Sequence, residues 1–77
     1  MPRVHLSRAR AGVSRETITS TIQRYTGMGT VEATRAADDV LAGRPASVYV
    51  DDFTSVYELA DVLTSLGVEA EADETDY

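Results

Sequence analysis

Between Ser47 and Ala72 the chain carries a pattern that admits few folds: an extended run, an amphipathic helix and a second extended run, joined by very short links. Val56, Leu59, Ala60, Leu63 and Leu66 recur at i, i+3, i+4 and i+7, while Glu58, Asp61 and Thr64 fall outside that stripe. This spacing places one apolar face along a helix. Asp52 or Thr54 is positioned to cap its start, and Gly67 ends it. Before it, Ser47-Val48-Tyr49-Val50 is β-branched and aromatic, as strands prefer. After it, Val68-Glu69-Ala70-Glu71-Ala72 alternates strictly and reads as a half-buried strand. A helix between two strands with short links has to pack across one face of a sheet.

The N-terminal half supplies the remaining elements. Arg3-Val4-His5-Leu6 alternates and predicts a short strand with Val4 and Leu6 inward; Ser7 to Gly12 reads as a loop. Ser14 suits an N-cap, and Glu16 lies in the first turn, where the helix dipole favours an acid. Ile18, Ile22 and Tyr25 share a face, so a helix is expected over Arg15–Tyr25. Thr26-Gly27-Met28-Gly29 stops it. Thr30 is placed to cap a second helix through Ala42 with Ala33, Ala37, Val40 and Leu41 on one side, and Gly43-Arg44-Pro45 ends it. The predicted order is β-α-α-β-α-β, a two-layer α+β fold of the α/β class with a three-stranded sheet covered by three helices. One domain spans residues 1–72, and residues 73–77 form an acidic, frayed tail.

Seventy-seven residues suffice for one thin core. Cysteine is absent, which excludes disulfides, thiolate catalysis and zinc ribbons. No apolar run approaches the roughly 20 residues of a membrane helix, and the first residues lack a signal peptide's apolar stretch. A cytoplasmic location without membrane contact is therefore expected. The net charge of −6 is divided unevenly. Residues 1–15 hold four arginines, His5 and no acid, whereas residues 51–77 hold nine acids and no base. Lysine is absent, a bias that fits GC-rich coding.

Thr26-Gly27-Met28-Gly29-x-x-Glu32-Ala33, read together with Leu63-x-x-Leu66-Gly67-Val68-Glu69-Ala70, resembles the C-terminal domain of the bacterial ribosomal stalk protein. That family carries Thr-Gly-Leu-Gly-Leu-Lys-Glu-Ala-Lys between its helices and Leu-x-x-Ala-Gly-Ala-x-Val-x before its last strand. The order of elements agrees from Val4 to Ala72. The resemblance implies a non-enzymatic protein-binding module that meets translational GTPases through its first helix and the start of its second. Carried onto this chain, the surface comprises Thr19, Gln23, Met28, Gly29, Val31 and Glu32. Thr19, Gln23, Met28 and Val31 are expected to be exposed there, with Met28 as an adaptable contact. The family's cations in this region are replaced here by Thr19-Ser20-Thr21-Ile22-Gln23 and Val31-Glu32-Ala33-Thr34. Arg24 and Arg35 stand one residue away, about 100° around a helix.

Two other readings compete. Arg3, Arg8, Arg10 and Arg15 can form a basic patch for RNA or the ribosome, although no aromatic residue is interleaved to stack on bases. A structural subunit of a larger assembly, such as a phage particle, would gain stability from its neighbours. The helix pair also has helix-turn-helix proportions, but Glu32, Asp38 and Asp39 would repel phosphates. Catalysis has little to draw on: His5 is the lone histidine, Asp51-Asp52 reads as a helix cap, and Asp38-Asp39 as a solvated face. The Gly27-Met28-Gly29 loop lacks the lysine of a phosphate-binding loop. No metal or cofactor is expected, and the oligomeric state is left open.

Overall fold

The computed structural model describes residues 2–51 and 53–73. Its elements are β1 (Arg3–Ala9), α1 (Arg15–Thr26), α2 (Thr30–Leu41), β2 (Ala46–Tyr49), α3 (Phe53–Leu66) and β3 (Val68–Asp73). The order is β-α-α-β-α-β, a small α+β fold with a single antiparallel sheet in which β1 is central: β2-β1-β3.

All three helices lie over one face of the sheet. From below, Val4, Leu6, Val48 and Val68 meet Ile18 and Ile22 of α1, Ala33, Ala37 and Val40 of α2, and Val56, Leu59 and Leu63 of α3, all fully or almost fully buried. The small residues along α2 let it lie close to the sheet, so Ala36 is buried too. Leu41, expected in that core, is instead 40% exposed. It sits about 100° around the helix from Val40.

Local chemistry sets the boundaries. The Ser14 side chain accepts from the Thr17 N–H at 3.1 Å and caps α1 as expected, a contact worth about 1 kcal/mol. Gly27 ends α1 at φ 69°, in the left-handed region, with its N–H donating to the Gln23 carbonyl. The expected Thr30 cap is corrected by one residue. Gly29 takes the extended N-cap conformation without a side-chain bond, and Thr30 is the first helical residue. Thr54 likewise lies inside α3 and does not cap it, while Asp52 falls outside the described residues. Gly67, at φ 102°, turns the chain from α3 into β3, where a Cβ would approach Val13 Cγ2 to 3.1 Å.

Two strands run longer than their sequence pattern. β1 continues through Ser7 and Arg8 to Ala9, where a loop was expected. Leu6 faces Ala70 and Ala9 faces Val68, so three steps on β1 match two on β3. The extra residue is a β-bulge, which shifts the inward phase from Leu6 to Ala9 and hides the alternation. β3 includes Asp73, which was expected in the acidic tail; residues 74–77, the rest of that expected tail, lie outside the described ones.

The Val50 N–H donates to the Pro2 carbonyl at 2.9 Å. Because antiparallel partners alternate between bonded and non-bonded pairs, this bond fixes the parity of the sheet. Even-numbered residues of β1 bond to β2, and Arg3 and His5 bond to Asp73 and Glu71 of β3. The N–H and C=O groups of Ala70 and Ala72 therefore point away from β1, along the outer edge.

Candidate functional site

The helix pair α1–α2 forms an antiparallel hairpin, with Gln23 Nε2 donating to Thr30 Oγ1 at 3.2 Å near its turn and Arg15 facing Asp38 at 3.4 Å at its far end. In the turn, Thr26 Oγ1 donates to the Ile22 carbonyl at 2.7 Å and accepts from the Met28 N–H at 3.1 Å. That pair of bonds fixes where Met28 and Gly29 emerge.

On α2 the core takes Ala33, Ala36, Ala37 and Val40, so Val31, Arg35 and Asp38 occupy the opposite line. Val31 is 72% exposed, the most exposed of the large aliphatic side chains described. It borders a hollow of about 370 Å³ with Thr30, Thr34, Arg35 and Asp38. On the other flank of the same helix, Met28, Glu32 and Arg35 border a hollow of about 260 Å³ that reaches β2. Arg35 belongs to both. Among the described residues it has no ion pair, so its charge is available.

Five of the six residues expected at this surface therefore reach it, to different degrees. Gly29, Val31 and Glu32 are exposed, and Gln23 is half-buried with its amide engaged on Thr30. Met28 is half-buried and packs against the core. Thr19 is the correction: it is only 9% exposed, and its Oγ1 is buried without a hydrogen-bond partner among the described residues. It shares the inward face with Ile22, so its residue type misled where its helical phase did not. An unsatisfied buried hydroxyl costs about 1–3 kcal/mol. Thr19→Val removes it at nearly the same shape, and the urea midpoint is expected to rise by the equivalent of about 1 kcal/mol.

The arginines of the expected basic patch are dispersed. Arg8 pairs with Glu69, Arg15 with Asp38, and Arg3 approaches Asp73 at 3.5 Å; only Arg10 lacks an acid partner among the described residues. Hydrogen bonding by Tyr49, and next by Asp73, raises the Arg3 pKa above the ordinary arginine value, and Glu69 does the same to Arg8. Asp38 and Asp39, expected to be simply solvated, are both paired: Asp39 Oδ1 accepts from Arg44 at 3.0 and 3.1 Å.

The uncovered face of the sheet holds an arrangement no linear reading reveals. His5 Nε2 lies 2.8 Å from Asp73 Oδ2, and His5 Nδ1 lies 2.9 Å from Ser47 Oγ. Three strands thus bring a serine, a histidine and an aspartate into one hydrogen-bonded line. Hydrolysis needs more than that line: a water-excluded site where donors meet the developing oxyanion. Here the array lies on an open face beside half-exposed Tyr49 and exposed Glu71, with no element described above it. Its hydrogen bonds link β2 and β3 to β1.

Among the described residues, no group of three or more His, Asp or Glu side chains is placed to hold a metal ion, and no helix is long and apolar enough to cross a membrane. The chain matches no protein-family model, and no curated protein matches it.

Proposed function

We propose that this chain is a non-catalytic protein-binding module whose contact surface is the start of α2 and the turn before it, as the resemblance to the stalk C-terminal domain implies. The observation that carries this reading is Val31, 72% exposed in the first turn of a helix whose other aliphatic positions are mostly buried. An aliphatic side chain held on a rigid helix beside a hollow offers apolar area that a partner's apolar group would cover. Arg35, one turn further along and unpaired among the described residues, adds a cation for a carboxylate on the partner. It stands in for the basic residues that the family's pattern places one position earlier. Translational GTPases are the partner class the resemblance implies, and a subunit of a larger assembly is the alternative.

The test is capture from a host lysate on the tagged chain, with and without nuclease, read by mass spectrometry. A GTPase or another defined protein retained after nuclease supports the reading. Partners that vanish with nuclease shift the contact to Arg10 and its neighbours and sink the helix surface. The catalytic alternative is tested separately: hydrolysis of p-nitrophenyl acetate is expected to be the same for the parent chain and Ser47→Ala. A Ser47-dependent rate would overturn the non-catalytic assignment.

A further inference from the structure

A second surface lies at the opposite side of the molecule, along β3. Among the described residues, the order β2-β1-β3 leaves both outer strands with a free edge, but the two edges differ. β2 is four residues long and begins directly after Pro45; β3 is six residues long and contains no proline. The parity of the sheet directs the N–H and C=O groups of Ala70 and Ala72 outward, and no partner for them is found among the described residues. Unpaired edges of this kind template the addition of another strand.

The side chains of β3 are sorted by face. Val68, Ala70 and Ala72 lie on the helix side, and Glu69, Glu71 and Asp73 on the open side. Hollows of about 600 and 320 Å³ flank β3, with Thr64 of α3 and Glu69 bordering both; Arg8 and Arg10 rim the larger, and the smaller reaches Ala70, Glu71 and His5. Because side chains alternate along a strand, an added strand would set half of its side chains on the open face, beside the acids. Glu71 is exposed and has no ion pair among the described residues.

Charge then selects the occupant. A second copy pairing β3 with β3 would set Glu69, Glu71 and Asp73 beside the same acids, and like charges across strands are destabilising. Glu69 already pairs with Arg8, and Asp73 with Arg3 and His5, so a lysine or arginine gains a new opposite-charge pair at Glu71; the excess of nine acids over no base in residues 51–77 attracts cations generally. We infer that the outer edge of β3 binds an extended, basic segment of another protein as a fourth strand, with backbone bonds to Ala70 and Ala72 and a cation opposite Glu71. This surface is separate from the start of α2, so the two stand or fall independently.

The probe is an octapeptide alternating Lys and Val, with an otherwise identical peptide carrying Glu for Lys as its control. Amide exchange followed by NMR is expected to slow at Ala70 and Ala72 when the Lys peptide binds, and to change little at Glu71, which already bonds to β1. Ala70→Pro removes an outward N–H at an edge position that tolerates proline. It is expected to weaken binding by roughly tenfold or more, the factor set by losing such a bond and its alignment. Glu71→Arg keeps every backbone group and is expected to transfer the preference to the Glu peptide, so the inference does not depend on the proline variant alone. Absence of binding, or equal binding of the Lys peptide by both variants, would overturn it. Concentration-dependent slowing at Ala70 and Ala72 without peptide would give the edge to a second copy and would overturn it as well.

Discussion

Leu63→Ala is expected to cost about 2–5 kcal/mol, the range for truncating a fully buried leucine into a partly collapsed cavity. Leu63 is fully buried in a core made mostly of valine and alanine side chains. A 77-residue chain at roughly 0.05–0.15 kcal/mol per residue has only about 4–12 kcal/mol in total. The substitution therefore removes a large share of the stability, and the variant is expected to be partly unfolded at physiological temperature. Urea denaturation followed by far-UV circular dichroism checks this. Leu66→Ala, at a half-buried position of the same helix, is expected to lose less than half as much. Equal losses at the two positions would mean that α3 is rotated from the orientation described.

The second large effect is on binding. Val31→Asp is expected to abolish partner capture and to leave the fold intact. The fold is spared because Val31 is exposed and lies in the first turn of α2, where the helix dipole favours an acid. Binding suffers twice. An apolar anchor worth about 1.5–3 kcal/mol is lost, and the new carboxylate stands four residues before Arg35, where it can occupy the guanidinium. The combined loss corresponds to roughly tenfold to a hundredfold in affinity or more. Val31→Leu is expected to retain capture, and Arg35→Glu to weaken it. Met28→Asp is a poorer probe, because Met28 packs against the core and a charge there would also destabilise the fold.

The legible parts of the fold were those written in local periodicity. The apolar stripe of α3, the Ser14 cap and the glycine ending of α1 each follow from residues within a turn of one another. Features that depend on pairing between distant segments were not legible. The β1 bulge breaks alternation at Ser7 and Arg8, and only the facing register with β3 shows that the strand continues. Ser47, His5 and Asp73 meet because three strands align, and their sequence separations give no hint of it.

At the candidate site, exposure read from residue type failed at Thr19, whereas helical phase places it with Ile22. In the sequence, Arg35 stands one residue from the position of the family's cation. Its place between the two hollows depends on how α2 lies against the core and β2. The free edge of β3 depends on β1 being central, which no local pattern records.

The most direct test of the binding surface is an NMR titration of the labelled chain with the protein it captures. Shifts concentrated at Gln23, Thr30, Val31, Thr34 and Arg35 are the expected result. Shifts confined to His5, Ser47 and Tyr49 on the open sheet face, with the start of α2 unmoved, would contradict the assignment of the helix surface.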